Sequence, residues 1–185
     1  MDSAGNTSAL IAAGGEIPRA GRDAPGLVAT LSAYAYLWTC RRVGARARTL
    51  GRPSVVNGAN VEIGDDVILD SRSGRVELAA ARRGRLAIGH GVRVGPSTRI
   101  LASRYVEIGD RTRIGAGCLV SDHDTGDLRD GAEIWIGDGV TIGDGVRVLP
   151  GTVIGAGAVV ASGAVVSGRI PAGALVVPGA AAPAK

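Results

Sequence analysis

The chain has 185 residues, enough for one domain with a real core, and its 45% hydrophobic content excludes wholesale disorder. Aromatics make up only 3% and Phe is absent, which suits a narrow core of Ile, Val and Ala. The net charge of +4 is carried almost wholly by Arg, and Lys185 is the only lysine; with no nucleic-acid motif beside it, this charge points to an anionic small molecule or glycan, or to a solvated surface. Residues 1–26 are Gly, Ala, Ser and charge without a period, and are expected to be loosely attached. Leu27, Leu31, Tyr34, Ala35 and Trp38 recur at helical spacing, which predicts a helix over 27–43. The run is shorter than the roughly 20 residues a membrane span needs. It reads as a cap on the open end of a repeat domain, with a membrane-surface helix as the alternative. The sequence thus divides into a segment 1–26, a helix and connection 27–50, and a repeat domain 51–185.

The repeat is read every sixth residue. Ile136, Ile142, Val148, Ile154, Val160 and Val166 are all branched aliphatics. Gly139, Gly145, Gly151, Gly157 and Gly163 stand three positions after them, where a tight turn needs φ > 0. A period of six fits neither an amphipathic helix nor an alternating strand. It fits short strands joined by corners, each unit burying its face against stacked neighbours. Earlier in the chain the register is intermittent. It begins near Val55, with Asn57 and Asn60 at early turns and a clean hexad at Ile63. It is lost over Asp70–Arg85 except for a short strand at Val76–Leu78. It returns at Ile88, Val94 and Ile100, slips by two residues, and resumes at Ile108, Ile114 and Val120. Beyond Val166, Leu175–Val177 reads as one more strand.

Sixteen residues separate Val120 from Ile136, which is not a multiple of six. The polar, acidic stretch between them, Ser121 to Gly131, must leave the coil as a loop, and loops on rigid scaffolds carry function. His123 sits in that loop. Imidazole transfers protons near neutral pH, and Asp122, Asp124 or Asp127 can orient it. The other histidine, His90, occupies an ordinary turn position and reads as solvated. Cys118 falls at a small inward position and reads as a buried filler, and with Cys40 it forms neither a disulfide framework nor a zinc site. Two histidines cannot supply three zinc ligands, which argues against a carbonic-anhydrase-like site, and no metal is expected. The N-terminal residues have no leader-peptide pattern, so a cytoplasmic protein is expected.

Hexads such as Ile136-Gly137-Asp138-Gly139-Val140-Thr141 resemble those of the hexapeptide-repeat transferases. The segments Val120–Asp124, Ile134–Gly137 and Val148–Gly155 resemble the acetyl-coenzyme A-dependent sugar O-acetyltransferases, above all those that decorate bacterial polysaccharides. The resemblance covers roughly 50–180. It implies an all-β, left-handed parallel β-helix with a short N-terminal helix, a homotrimer with the site between neighbouring prisms, and acetyl-coenzyme A as co-substrate. It implies His123 as general base on a sugar hydroxyl, attacking the thioester directly. Ala156, Gly157, Ala161, Ser162 and Lys185 correspond to coenzyme A contacts. Thr141 replaces a Trp and Ser97 an Asn that the family often has. Ser97 remains a candidate for the acceptor or the oxyanion. Asp70, Ser71 and Glu77, in the irregular early segment, are further acceptor candidates. An N-acetyltransferase on an amino sugar uses the same parts, and a non-catalytic scaffold is a third reading.

Overall fold

A computed structural model describes residues 33–123 and 132–179. The chain winds through coils of three short strands each. The first coil is β1 (Arg42–Val43), β2 (Arg48–Gly51) and β3 (Ser54–Val56); the second is β4 (Val61–Ile63), β5 (Ile68–Ser71) and β6 (Glu77–Ala80). The third is β7 (Arg85–Ile88), β8 (Arg93–Val94) and β9 (Arg99–Ala102); the fourth is β10 (Tyr105–Ile108), β11 (Arg113–Ile114) and β12 (Leu119–Ser121). The fifth is β13 (Ile134–Ile136), β14 (Thr141–Ile142) and β15 (Arg147–Val148), and the sixth is β16 (Val153–Ile154), β17 (Val159–Val160) and β18 (Val165–Val166). A partial turn adds β19 (Arg169–Ile170) and β20 (Leu175–Val176).

Each strand pairs in parallel with the strand three further along, giving three parallel sheets. Sheet A runs β1-β4-β7-β10-β13-β16-β19, sheet B runs β2-β5-β8-β11-β14-β17-β20, and sheet C runs from β3 to β18. The arrangement is an all-β parallel solenoid of about six turns, matching a left-handed β-helix. The interior is a column of aliphatics, among them Ile63, Ile88, Ile108, Ile136, Ile154 and Ile170 stacked down sheet A. Burying such a side chain stabilises by about 1.5–3 kcal/mol, and no unit can do so without its neighbours.

The corners explain the hexad chemistry. At Gly109 an added Cβ would meet Gly137 C at 2.6 Å, so backbone lies directly on backbone. At Gly139 the requirement is different: φ is 64° and nothing lies within 4 Å, so it is dihedral freedom that selects glycine there.

Two expectations change at the N-terminal end. The coil begins earlier than residue 51, because β1 and β2 already pair with β4 and β5. The period hides this, since the first coils turn through corners of irregular length and fill inward positions with Ala47 and Thr49. The helix is seen over Ala33–Leu37 and does not continue to 43, because Arg42–Val43 is strand; residues 27–32 lie outside the described residues. Its buried face is also one residue off the expected stripe. Ala33 and Leu37 join the core, while Tyr34 is exposed and Trp38 is 79% exposed. Among the described residues no helix is long and apolar enough to cross a membrane. The irregular segment does hold a strand, β6, in register with β9.

Candidate active site

The site grows from the corner between sheets C and A. After β12 the chain passes through Asp122 and His123 and returns at Ala132, whose N–H donates to the Asp122 carbonyl at 2.8 Å. The Asp122 side chain is fully buried. Its carboxylate accepts three backbone N–H groups from the coil below: Ser103 at 2.7 Å, Arg104 at 2.7 Å and Tyr105 at 2.9 Å. A buried carboxylate needs such partners, and these three shape the tight turn that the two-residue slip in the repeat creates.

His123 stands on this platform with a side chain 17% exposed. Its Nδ1 lies 2.8 Å from Ser103 Oγ, 3.2 Å from Asp122 Oδ1 and 3.3 Å from Ser121 Oγ. Ser121 Oγ also donates to the His123 carbonyl at 2.8 Å, which fixes the backbone beneath the ring. A carboxylate can only accept, so it favours the tautomer with the proton on Nδ1. The lone pair then rests on Nε2, the nitrogen that no described residue engages.

The ring faces a shallow groove of about 220 Å³, lined by Ala79, Ala80, Ala81, Leu101, Ala102, Ser103 and His123. Its floor is apolar because the outward residues near the ends of β6 and β9 are Ala79 and Leu101, beside the buried Ala80 and Ala102. Ser103 and the alanine floor line the groove with His123, and the repeat did not reveal them. Their signal was the slip between Ile100 and Ile108, one coil below the loop.

A second groove, about 340 Å³, runs along the corner between sheets A and B past His90. There the side chains form a ladder. Asp65 Oδ1 accepts Ala45 N–H, His90 Nδ1 accepts Asp65 N–H at 3.0 Å, Asp110 accepts His90 N–H, and Asp138 accepts Asp110 N–H. His90 is a turn residue, as expected, and 55% exposed, but its ring is also one rung of this ladder.

The other expected site residues are distributed elsewhere. Asp70 pairs with Arg72, whose guanidinium holds the carboxyl below its ordinary value. Ser71 Oγ accepts Val76 N–H, and Glu77 pairs with Arg99. Ser97 sits at the sheet B to C corner with φ 59° and donates its N–H to Gly74 O. None of the four lines the groove at His123. Ala156 and Gly157 make the A to B corner of the sixth coil, and Ala161 and Ser162 its B to C corner. Ser162 Oγ accepts Asp144 N–H, so its hydroxyl serves the stack. Lys185, Asp124 and Asp127 lie outside the described residues. Trp135 is on sheet A against Tyr105, ring centroids 5.0 Å apart. The Tyr105 hydroxyl donates to Glu107, and burial with that carboxylate pushes its pKa to about 12. Cys118 Sγ donates to Gly143 O, and burial pushes its thiol up, which leaves it a poor nucleophile. Among the described residues no three His, Cys, Asp or Glu side chains gather as a metal site.

The three-sheet hexad solenoid can be compared with known proteins at the level of its repeats and its fold. Residues 133–168 match the family model for bacterial transferase hexapeptide (six repeats), so the resemblance read from the hexads holds there. Similar solved structures include a variant of AntD, an N-acyltransferase from Bacillus cereus, in complex with dTDP-4-amino-4,6-dideoxyglucose and coenzyme A. It is 17% identical, with TM-score 0.67, over 79% of this chain and 83% of that one. AntD with dTDP and 3-hydroxybutyryl-CoA gives 16% identity and TM-score 0.66, over 79% and 82%. A hexapeptide-repeat acetyltransferase from Vibrio cholerae complexed with acetyl coenzyme A gives 22% and 0.50, over 80% and 72%. These likenesses establish the fold. No curated protein sequence matches the chain.

Proposed function

We propose that this protein is an acyltransferase that uses acetyl-coenzyme A to O-acetylate a sugar hydroxyl, in surface polysaccharide or glycoconjugate synthesis in the cytoplasm. The observation that carries the reading is the His123 imidazole, held through Nδ1 by Asp122 and Ser103 with Nε2 left for substrate at the groove. Nε2 takes the proton from the acceptor as its oxygen attacks the thioester carbonyl. The C–S bond breaks and coenzyme A leaves as the thiol. No covalent acyl-enzyme is required, because Cys118 is buried and the Ser103 hydroxyl is engaged with Nδ1 rather than Nε2. Backbone N–H groups or Ser97 are the candidates for stabilising the oxyanion. The late-coil corners at Ala156, Gly157, Ala161 and Ser162, with Lys185, are the proposed coenzyme A contacts.

A second reading, N-acylation of an amino sugar, is supported by the likeness to AntD, an N-acyltransferase seen with an amino sugar nucleotide. The same base and groove serve either nucleophile. Thiol release from acetyl-coenzyme A across matched hydroxy and amino sugars separates the two. No release with any acceptor would remove the enzymatic reading and leave a binding scaffold.

The reading includes a homotrimer, in which a neighbouring prism supplies the wall opposite His123. Light scattering is expected to give three times the chain mass at micromolar concentration. A monomer there would count against the proposed site.

A further inference from the structure

Next in sequence to Ala81, which lines the groove at His123, stand two arginines that the catalytic reading does not use. The turn Ala81–Gly84 lies directly beneath Ala102 and Ser103: Ala81 N–H donates to Ala102 O at 2.7 Å, and a Cβ on Gly84 would meet that same oxygen. The backbone of the turn is held from below. Asn57 donates to Ala80 O at 2.9 Å, and Asn60 donates to Ala81 O at 3.0 Å and Arg82 O at 3.1 Å. The turn therefore stands without help from the side chains it displays, which are Arg82 and Arg83. Both are exposed. The arginines flanking them on this corner have carboxylate partners, Arg85 with Glu62 and Arg104 with Glu133. Arg82 and Arg83 have none among the described residues.

Resting on the acyltransferase reading, we infer that Arg82 and Arg83 bind a phosphate group of the acceptor, which makes the substrate a sugar phosphate or nucleotide-linked sugar. A finished neutral glycan is excluded by this assignment. Guanidinium groups from two consecutive exposed residues match a phosphate dianion in charge, and each offers a fork of donors to it. The spacing fits as well. The arginine turn lies two rungs below His123, and rungs about 4.8 Å apart set it roughly 10 Å away, the length of one sugar ring with its anomeric phosphate. The alanine floor between them offers no polar partner. It suits the C–H face of the ring or a deoxygenated carbon.

The test uses the full chain with inorganic pyrophosphate and dTDP as probes, titrated by calorimetry. Saturable binding is expected, weakened about tenfold or more in the Arg82→Gln/Arg83→Gln variant, the scale of one lost charge-assisted contact. Arg169→Gln, exposed on sheet A of the last turn, controls for overall charge and should bind as wild type. Coenzyme A titrations separate the other source of phosphate and should be unchanged in the double variant. Absence of binding, equal loss in Arg169→Gln, or a loss seen only with coenzyme A would each overturn the assignment. The acyltransferase reading fails independently, through absent thiol release while pyrophosphate binding still depends on the two arginines.

Discussion

The two histidines occupy the same kind of place, a corner of the coil beside an aspartate, and end with opposite chemistry. At His90 the Nδ1 accepts a backbone N–H from Asp65. That bond puts the ring proton on Nε2, so the solvent-facing nitrogen is a donor and has no lone pair for a base to use. At His123 the Nδ1 faces a buried carboxylate and a serine hydroxyl, and the lone pair moves to Nε2. What distinguishes His90 from the proposed catalytic His123 is the nearest partner of Nδ1. The reason for the difference lies in which atoms each aspartate presents to the ring. At His90 the Asp65 N–H reaches Nδ1 at 3.0 Å, nearer than its carboxylate at 3.3 Å, whereas the Asp122 N–H is given to Leu101 O, so that Asp122 offers His123 only its carboxylate.

This contrast can be broken most sharply at His123. His123→Gln is expected to lower turnover about 10²- to 10⁴-fold with coenzyme A affinity and assembly unchanged, measured with one accepted acceptor. A smaller but broader effect is expected of Asp122→Asn. The amide turns an N–H toward a backbone donor or toward Nδ1, and a thermal melt should show a loss of about 1.5–3 kcal/mol alongside slower turnover. If the melt falls and the rate does not, Asp122 shapes the turn without setting the tautomer. Ser103→Ala removes one neutral hydrogen bond to the ring, worth about 0.5–1.5 kcal/mol, so steady-state kinetics should show a drop of about 2- to 10-fold in kcat. Least of all, His90→Ala should leave turnover untouched and cost about 0.5–1.5 kcal/mol of stability through the lost ladder bond. His90→Asn, whose carbonyl oxygen can accept the same N–H, should recover part of it. A dead His90→Ala with an active His123→Gln would reverse the assignment of the two corners.

The legibility of these features in the sequence follows from how local they are. The hexads from Ile136 to Val166 announce themselves because corner and core positions repeat without interruption. The coil at Arg42–Val56 did not, because corners of varying length erase the period while the ladder survives. His123 was legible as the one histidine in the one long break. Ser103, the alanine floor and the Arg82–Arg83 turn were not. They meet His123 only by stacking across coils, a relation that irregular early corners conceal. Asp70, Ser71 and Glu77 stand out for lying where the period is lost, and Ser97 for replacing a family Asn; in the fold Asp70 pairs with Arg72, Ser71 holds Val76 N–H, Glu77 pairs across strands with Arg99, and the Ser97 N–H binds Gly74 O.

The excursion after β12 leaves and rejoins the coil without moving the ladder. Val120 still faces Ile100 below and Val148 above, and β13 still meets β10 residue for residue. Extra chain at such a corner adds only a slowly growing loop-closure entropy, since each doubling costs about 0.6 kcal/mol. The corner is thus open to insertion: residues can be gained or lost there over evolutionary time, or grafted in the laboratory, without renegotiating the core. A scaffold of this kind can change its substrate by rewriting one loop while the remainder of the gene drifts under packing constraints alone.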